Sequence, residues 1–117
     1  MSVTIFHNPK CSKSRQTLEL LEKQGITPDI IEYLKSPPTA EQLQVILAQL
    51  GLVPRDLMRT KEDIYAECKL DNPSLTDVEL VNFMIKHPIL IERPIILANG
   101  KAAIGRPPEQ VLEILST

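Results

Sequence analysis

Residues 2–6, SVTIF, alternate apolar with polar positions and are rich in β-branched side chains, the pattern of a half-buried strand. His7-Asn8-Pro9 then breaks the run. From Ser12 to Gln24 the residues are good helix formers, with Leu18 and Leu21 inward and Gly25 as a stop. PDIIEYL at 28–34 reads as a second short strand, closed by Ser36-Pro37-Pro38. This opening predicts a βαβ unit, whose crossover makes its strands parallel.

The period then changes to that of helices. Leu43, Ile46, Leu47 and Leu50 form an i, i+3, i+4, i+7 stripe after Thr39, with Gln42 in position to complete a capping box. Short helical segments follow around PRDLM and EDIYAEC. Thr76 and Glu79 repeat the capping-box spacing before Leu80, Val81, Met84 and Ile85, and His87-Pro88 ends that helix. The last third returns to strands: RPIILANGKAAIG carries Asn99-Gly100, the signal for a type I′ hairpin. PPEQVLEIL closes as a helix with Pro107 and Pro108 at its start and Val111, Leu112 and Leu115 inward. The order is βαβ, a helical insertion at about 39–87, then ββα.

Composition narrows what such a chain can do. With 117 residues, 43% hydrophobic and 24% charged, it has the size and make-up of one folded domain over 1–117. A net charge of −2 argues against a general nucleic-acid surface, so any cationic chemistry is local. No basic start followed by an apolar targeting stretch occurs, and no apolar run approaches the roughly 18 residues of a membrane span. The expected compartment is the cytoplasm, and no membrane or nucleic-acid partner is expected.

Two cysteines, Cys11 and Cys68, lie far apart in dissimilar surroundings, with no metal-ligand spacing and no sign of a disulfide framework. Cys68, between Glu67 and Lys69 on a predicted helix, reads as structural. Cys11 differs, because it stands between a strand end and a helix start. A free thiol titrates at about 8.5, and only the thiolate is a strong nucleophile. The unpaired amides and aligned dipoles of a helix start favour that thiolate and can also cradle a tetrahedral oxyanion. Lys10, Lys13 and Arg15 add positive charge nearby, Arg15 one turn along the helix. Free cysteines are often small buried hydrophobes, but polar flanks and the Asn8-Pro9 turn argue against that reading here.

Two other cysteine arrangements fail on spacing. A thioredoxin-type C-x-x-C would need a thiol where Ser14 stands, so no disulfide can form across the helix turn, nothing in the spacing recommends a Cys11–Cys68 pair, and reducing power is expected from outside. A phosphatase loop of the C-x-x-x-x-x-R type would need arginine where Thr17 stands. Arg93 and Arg106 each precede a proline at an expected element boundary, where side chains project from element ends.

HNPKCSKSR, LMRTKE, HPILIERPII and IGRPPEQVLEIL, in that order, resemble the motifs of the glutaredoxin-dependent arsenate reductase (ArsC) family over essentially the whole chain. The resemblance implies an α/β thioredoxin-like fold: a mixed four-stranded sheet with halves at about 1–35 and 89–117 and the helical insertion between them. It implies a Cys11 thiolate that attacks arsenate and forms an arsenic–sulfur intermediate. Glutathione and glutaredoxin then complete reduction to arsenite. By motif, Arg59, Arg93 and Arg106 fall on the family's three oxyanion-binding arginines, a task suited to permanently charged guanidinium forks. Pro94 falls on the proline that is cis in thioredoxin-like folds. His7 and Asn8 precede the nucleophile, and His7 either favours the thiolate or is structural. Ser14 either donates its hydroxyl to the thiolate or solvates the turn.

Where well-known relatives read Gly-Thr-Ser after the cysteine, this chain reads Ser-Lys-Ser. No tightly bound cofactor or metal is implied, and the small family members imply a monomer. Two other functions share the fold: a thiol reductase for another substrate, and a stress-response transcriptional regulator that uses C-x-x-C as a redox switch. Ser14 removes that switch.

Overall fold

The computed structural model describes residues 2–115. Two compact units emerge, one formed by the chain up to Ser36 together with the chain from Arg93 onward, the other by Pro37–Glu92.

The first unit is built on a four-stranded mixed sheet. Strand β1 (Val3–His7) lies parallel to β2 (Asp29–Glu32) and antiparallel to β3 (Ile95–Ala98), which pairs in turn with β4 (Lys101–Ile104), giving the order β2-β1-β3-β4. The parallel pair is the predicted βαβ unit, its crossover being helix α1 (Ser12–Lys23). Strand β1 runs one residue further than the alternation suggested, because His7 still pairs with Glu32, and the break comes at Asn8. Strand β2 is shorter than the predicted 28–34. The amides of Lys35 and Ser36 both bond the Glu32 carbonyl at 2.9 Å, which turns the chain and ends the ladder.

Apolar packing holds α1 and the C-terminal segment to the sheet. Val3, Ile5, Leu21, Ile96, Ala98, Val111 and Ile114 form one buried cluster, with Leu18 and Leu115 partly buried against it. Each large apolar side chain in such a cluster contributes about 1.5–3 kcal/mol. The type I′ turn is present, with Asn99 at φ 55° and Gly100 at φ 71°. The closing segment departs from the single predicted helix. It begins as a 3₁₀ turn, Pro108–Val111, and only then becomes α6 (Leu112–Leu115). The tighter start brings Val111 and Ile114, three apart, into the core and leaves Leu112 only partly buried.

The second unit is helical. Helices α2 (Ala40–Leu50), α3 (Pro54–Leu57), α4 (Asp63–Glu67) and α5 (Asp77–Lys86) are followed by a 3₁₀ turn at Pro88–Leu90. Both capping boxes form: Thr39 with Gln42 opens α2, and Thr76 with Glu79 opens α5. Buried Leu43, Ile46 and Leu47 of α2 and Leu80, Val81 and Met84 of α5 lie on helices in contact, with Leu57, Leu70 and Leu90 also enclosed. An isolated antiparallel bridge joins Met58 to Ile91. No helix among the described residues is long and apolar enough to cross a membrane.

Candidate active site

Cys11 occupies the N-cap of α1 with extended backbone angles, φ −95° and ψ 124°. The loop before it is locked by its own hydrogen bonds. The Cys11 amide donates to the Asn8 carbonyl at 3.0 Å, the Lys10 amide to Asn8 Oδ1 at 3.0 Å, and the Asn8 amide to Ser14 Oγ at 3.0 Å. Asn8, 5% exposed, is thus the post around which the turn is tied. Arg15 donates from its guanidinium to the Pro9 carbonyl at 2.9 Å, fastening the same loop from outside. The first turn of α1 carries no acidic residue, so nothing there competes with an anion for its amides.

Two arginines of the β3–β4 half reach the sulfur. Arg106 donates to Cys11 Sγ at 3.4 Å from a terminal nitrogen, while its Nε donates to the Arg93 carbonyl at 2.7 Å. Arg93, 9% exposed, also hydrogen-bonds the sulfur through its side chain. The Arg93–Pro94 peptide is cis, and so is Arg106–Pro107, which the sequence did not single out. The Pro94 carbonyl accepts from the Gly105 amide at 3.0 Å, beside the start of β3 and the end of β4.

Burial pushes the Cys11 thiol up. The Ser14 amide, the Arg93 side chain, the Lys13 amide and the charge of Arg106 pull it down, and the net value lies below that of an ordinary thiol. Sγ closes no regular cap hydrogen bond, yet these first-turn amides still favour its charged form. The sequence offered Lys10, Lys13 and Arg15 as nearby charges. Instead the acidifying cations come from far along the chain, and Lys13 acts through its backbone.

His7 and Ser14, each left with two readings by the sequence, lie against one another. Ser14, fully buried, places its hydroxyl 2.6 Å from His7 Nδ1 while accepting the Asn8 amide, so its hydroxyl supports the loop and its own amide serves the sulfur. Burial holds the His7 imidazole below its usual value; Glu32 opposes this and Arg15 adds to it. The neutral ring is the form this favours, with Nδ1 at hydrogen-bond distance from the Ser14 hydroxyl. A cationic His7 beside the thiolate is therefore disfavoured, and His7 acts as a strut beneath the turn.

Sequence reasoning missed Gly105 and Thr17. A Cβ at Gly105 would overlap Thr17 Oγ1 and approach Pro94 Cγ to 2.8 Å. Thr17 is fully buried and bonds the Lys13 carbonyl at 2.8 Å. The missing side chain thus permits close packing of the Arg106 loop on α1. A glycine directly before an arginine and two prolines was the available signal.

Arg59 belongs to the second unit. Its Nε lies 3.0 Å from Glu62 Oε2 and its NH1 nitrogen 2.7 Å from Glu92 Oε1. Neither carboxylate was anticipated from sequence, although Glu62 stands three residues on and Glu92 directly precedes Arg93.

A sheet of this topology, with a cysteine capping its first helix and arginines converging on the sulfur, defines a thioredoxin-like protein with an acidified thiol beside guanidinium groups. The chain belongs to the ArsC family, whose profile matches residues 6–114. It is 53% identical to the uncharacterized protein YfgD of Escherichia coli strain K12, over 97% of this chain and 96% of that one. It is also 52% identical to an arsenate reductase of Haemophilus influenzae, over 98% of this chain and 100% of that one. A solved arsenate reductase from Vibrio cholerae superposes with a TM-score of 0.95 at 56% identity, covering 97% of this chain and 98% of that one.

Proposed function

We propose that this protein is an arsenate reductase of the cytoplasm, acting as a monomer with glutathione and glutaredoxin as its reductants and no tightly bound cofactor. The observation that carries the reading is the Cys11 sulfur, acidified at a helix N-cap and 3.4 Å from the Arg106 guanidinium. Thiolate and oxyanion site coincide there, as attack on a tetrahedral anion requires.

In this reading Arg93 and Arg106 hold arsenate oxygens against the first-turn amides. The Cys11 thiolate attacks arsenic, forming an S–As bond as one oxygen leaves as water after protonation. Glutathione replaces a second oxygen. A glutaredoxin thiolate then takes the glutathionyl sulfur as a mixed disulfide, and the electron pair of the broken S–As bond remains on arsenic, reducing As(V) to As(III). Water releases arsenite and restores the Cys11 thiol. The external thiols are needed because position 14 is a serine.

The test is arsenate-dependent NADPH oxidation coupled through glutathione, glutaredoxin and glutathione reductase. Saturable turnover that disappears in Cys11→Ser supports the assignment. A folded wild-type protein with an acidified thiol and no turnover overturns it in favour of a thiol reductase for another substrate.

A further inference from the structure

Helix α1 buries Ser14, Thr17 and Leu21 along one face, at the spacing of successive turns. Thr17 is the polar member of this stripe that the loop around Cys11 does not use. It is fully buried, and its hydroxyl donates to the Lys13 carbonyl at 2.8 Å. A threonine in a helix divides its side chain between two rotamers, and this bond selects one of them. With its proton committed to Lys13, the hydroxyl presents a fixed oxygen to whatever packs on that face.

Gly105 packs there. A Cβ at that position would overlap Thr17 Oγ1 and stand 3.1 Å from Thr17 Cγ2, so the oxygen is the nearest atom facing the bare Cα. An oxygen takes less room than a methyl, and a glycine less than any other residue; together they give the close approach. The chain on either side of this contact is held at the sulfur. The Gly105 amide donates to the Pro94 carbonyl at 3.0 Å, and Arg106 donates from Nε to the Arg93 carbonyl at 2.7 Å and from a terminal nitrogen to Cys11 Sγ at 3.4 Å. Arg93 hydrogen-bonds the same sulfur. Gly105-Arg106 and Arg93-Pro94 are thus tied into one piece carrying two guanidinium groups, and Thr17 is where that piece rests on the helix that Cys11 caps. All these residues belong to the unit built on the sheet.

We propose that Thr17 is a positioning residue: its hydroxyl is the stop against which Gly105 seats, and the seat sets how closely Arg106 and Arg93 approach the Cys11 sulfur. The inference deepens the proposed function and rests on it for the turnover measurement alone, since the state of the thiol is read without arsenate. A methyl in place of the hydroxyl pushes Gly105 outward, and an empty position lets it slide. Either change loosens the guanidinium contacts with the thiolate, while the Ser14 and Lys13 amides, which belong to α1 itself, keep theirs.

Thr17→Val replaces the hydroxyl by a methyl, Thr17→Ala removes both branches, and Thr17→Ser keeps the hydroxyl alone. The readout is the pH midpoint of Cys11 alkylation, on a Cys68→Ser background so that one thiol reports, in proteins whose circular dichroism matches wild type. Arsenate KM is measured beside it. The valine and alanine variants should raise the midpoint by about half a unit to one unit, with a rise in KM, and the serine variant should show less than half of that rise. A threonine with a merely structural role would lower the denaturation midpoint and leave the pH midpoint alone. Wild-type pH midpoints in the valine or the alanine variant overturn the inference, as does a serine variant shifted by half or more of the alanine rise. Should Thr17→Ala fail to fold, the valine and serine variants decide by the same criteria. Expected shifts in a protein without arsenate turnover remove the proposed function and leave the role of Thr17; turnover with unmoved midpoints does the reverse.

Discussion

Arg106 and Arg59 are each fixed through two nitrogens, but by different kinds of acceptor. Arg106 is steered by a main-chain carbonyl and the Cys11 sulfur, Arg59 by two carboxylates. A carbonyl orients a guanidinium without cancelling its charge, whereas a carboxylate does both. The first unit consequently lends positive charge to a sulfur, while the second holds its arginine between two carboxylates. An arginine read from sequence as a cation can therefore serve opposite electrostatic ends, depending on what orients it.

The largest change should come from removing the group on which the Arg106 side of this contrast depends. Cys11→Ser should reduce coupled arsenate turnover to background, since a serine hydroxyl stays protonated near neutral pH. Its thermal midpoint should stay close to wild type, and circular dichroism would check that. Next, Arg106→Ala or Arg93→Ala should raise arsenate KM by about 10- to 100-fold, the equivalent of one charge-assisted hydrogen bond.

The same arginine variants should move the pH midpoint of Cys11 alkylation upward, toward the ordinary value of about 8.5. In wild type that midpoint should lie below it. Because the folded value is depressed, ionisation of Cys11 adds stability above the unfolded thiol's value, and the increment is lost as pH falls through the folded value. Denaturant melts across that window would detect a slope of the opposite sign if the thiol were raised instead.

Smaller effects test the scaffold. Gly105→Ala should cost about 1–3 kcal/mol, because the added methyl meets Thr17 and Pro94, and it should also blunt the acidification of Cys11. Thr76→Ala in the second unit should cost about 1 kcal/mol through loss of its capping box. Urea denaturation would measure both losses. Only the glycine variant should alter the rate of Cys11 alkylation, and a matching change in the threonine variant would contradict the separation of roles.

Legibility in the sequence followed the range of the interactions. Capping boxes at Thr39 and Thr76, the Asn99-Gly100 turn and the Ser12 helix start are encoded within four residues, and each forms at its predicted place. The position of Cys11 was equally local. What escaped detection joins residues remote in sequence: Glu92 on Arg59 and the approach of Gly105 to Thr17, while Arg106 came to the Cys11 site only through the family resemblance and not through spacing. The 3₁₀ start of the last helix escaped for another reason, since a short apolar pattern fits periods of both 3.0 and 3.6. His7 looked like a strand terminator because its buried partner, Ser14, lies seven residues on in a helix.

The turn from Asn8 to Cys11 is closed by amides, a carbonyl and a side-chain amide oxygen, with the Cys11 sulfur taking no part in its closure. The nucleophile is therefore mounted on a frame that does not depend on it. In the proposed chemistry, successive substituents, whether a proton, an arsenic centre or an arseno-glutathione group, would come and go on one atom while the mount keeps its shape. A cycle of several covalent stages, as proposed, would then run without refitting its anchor at each stage.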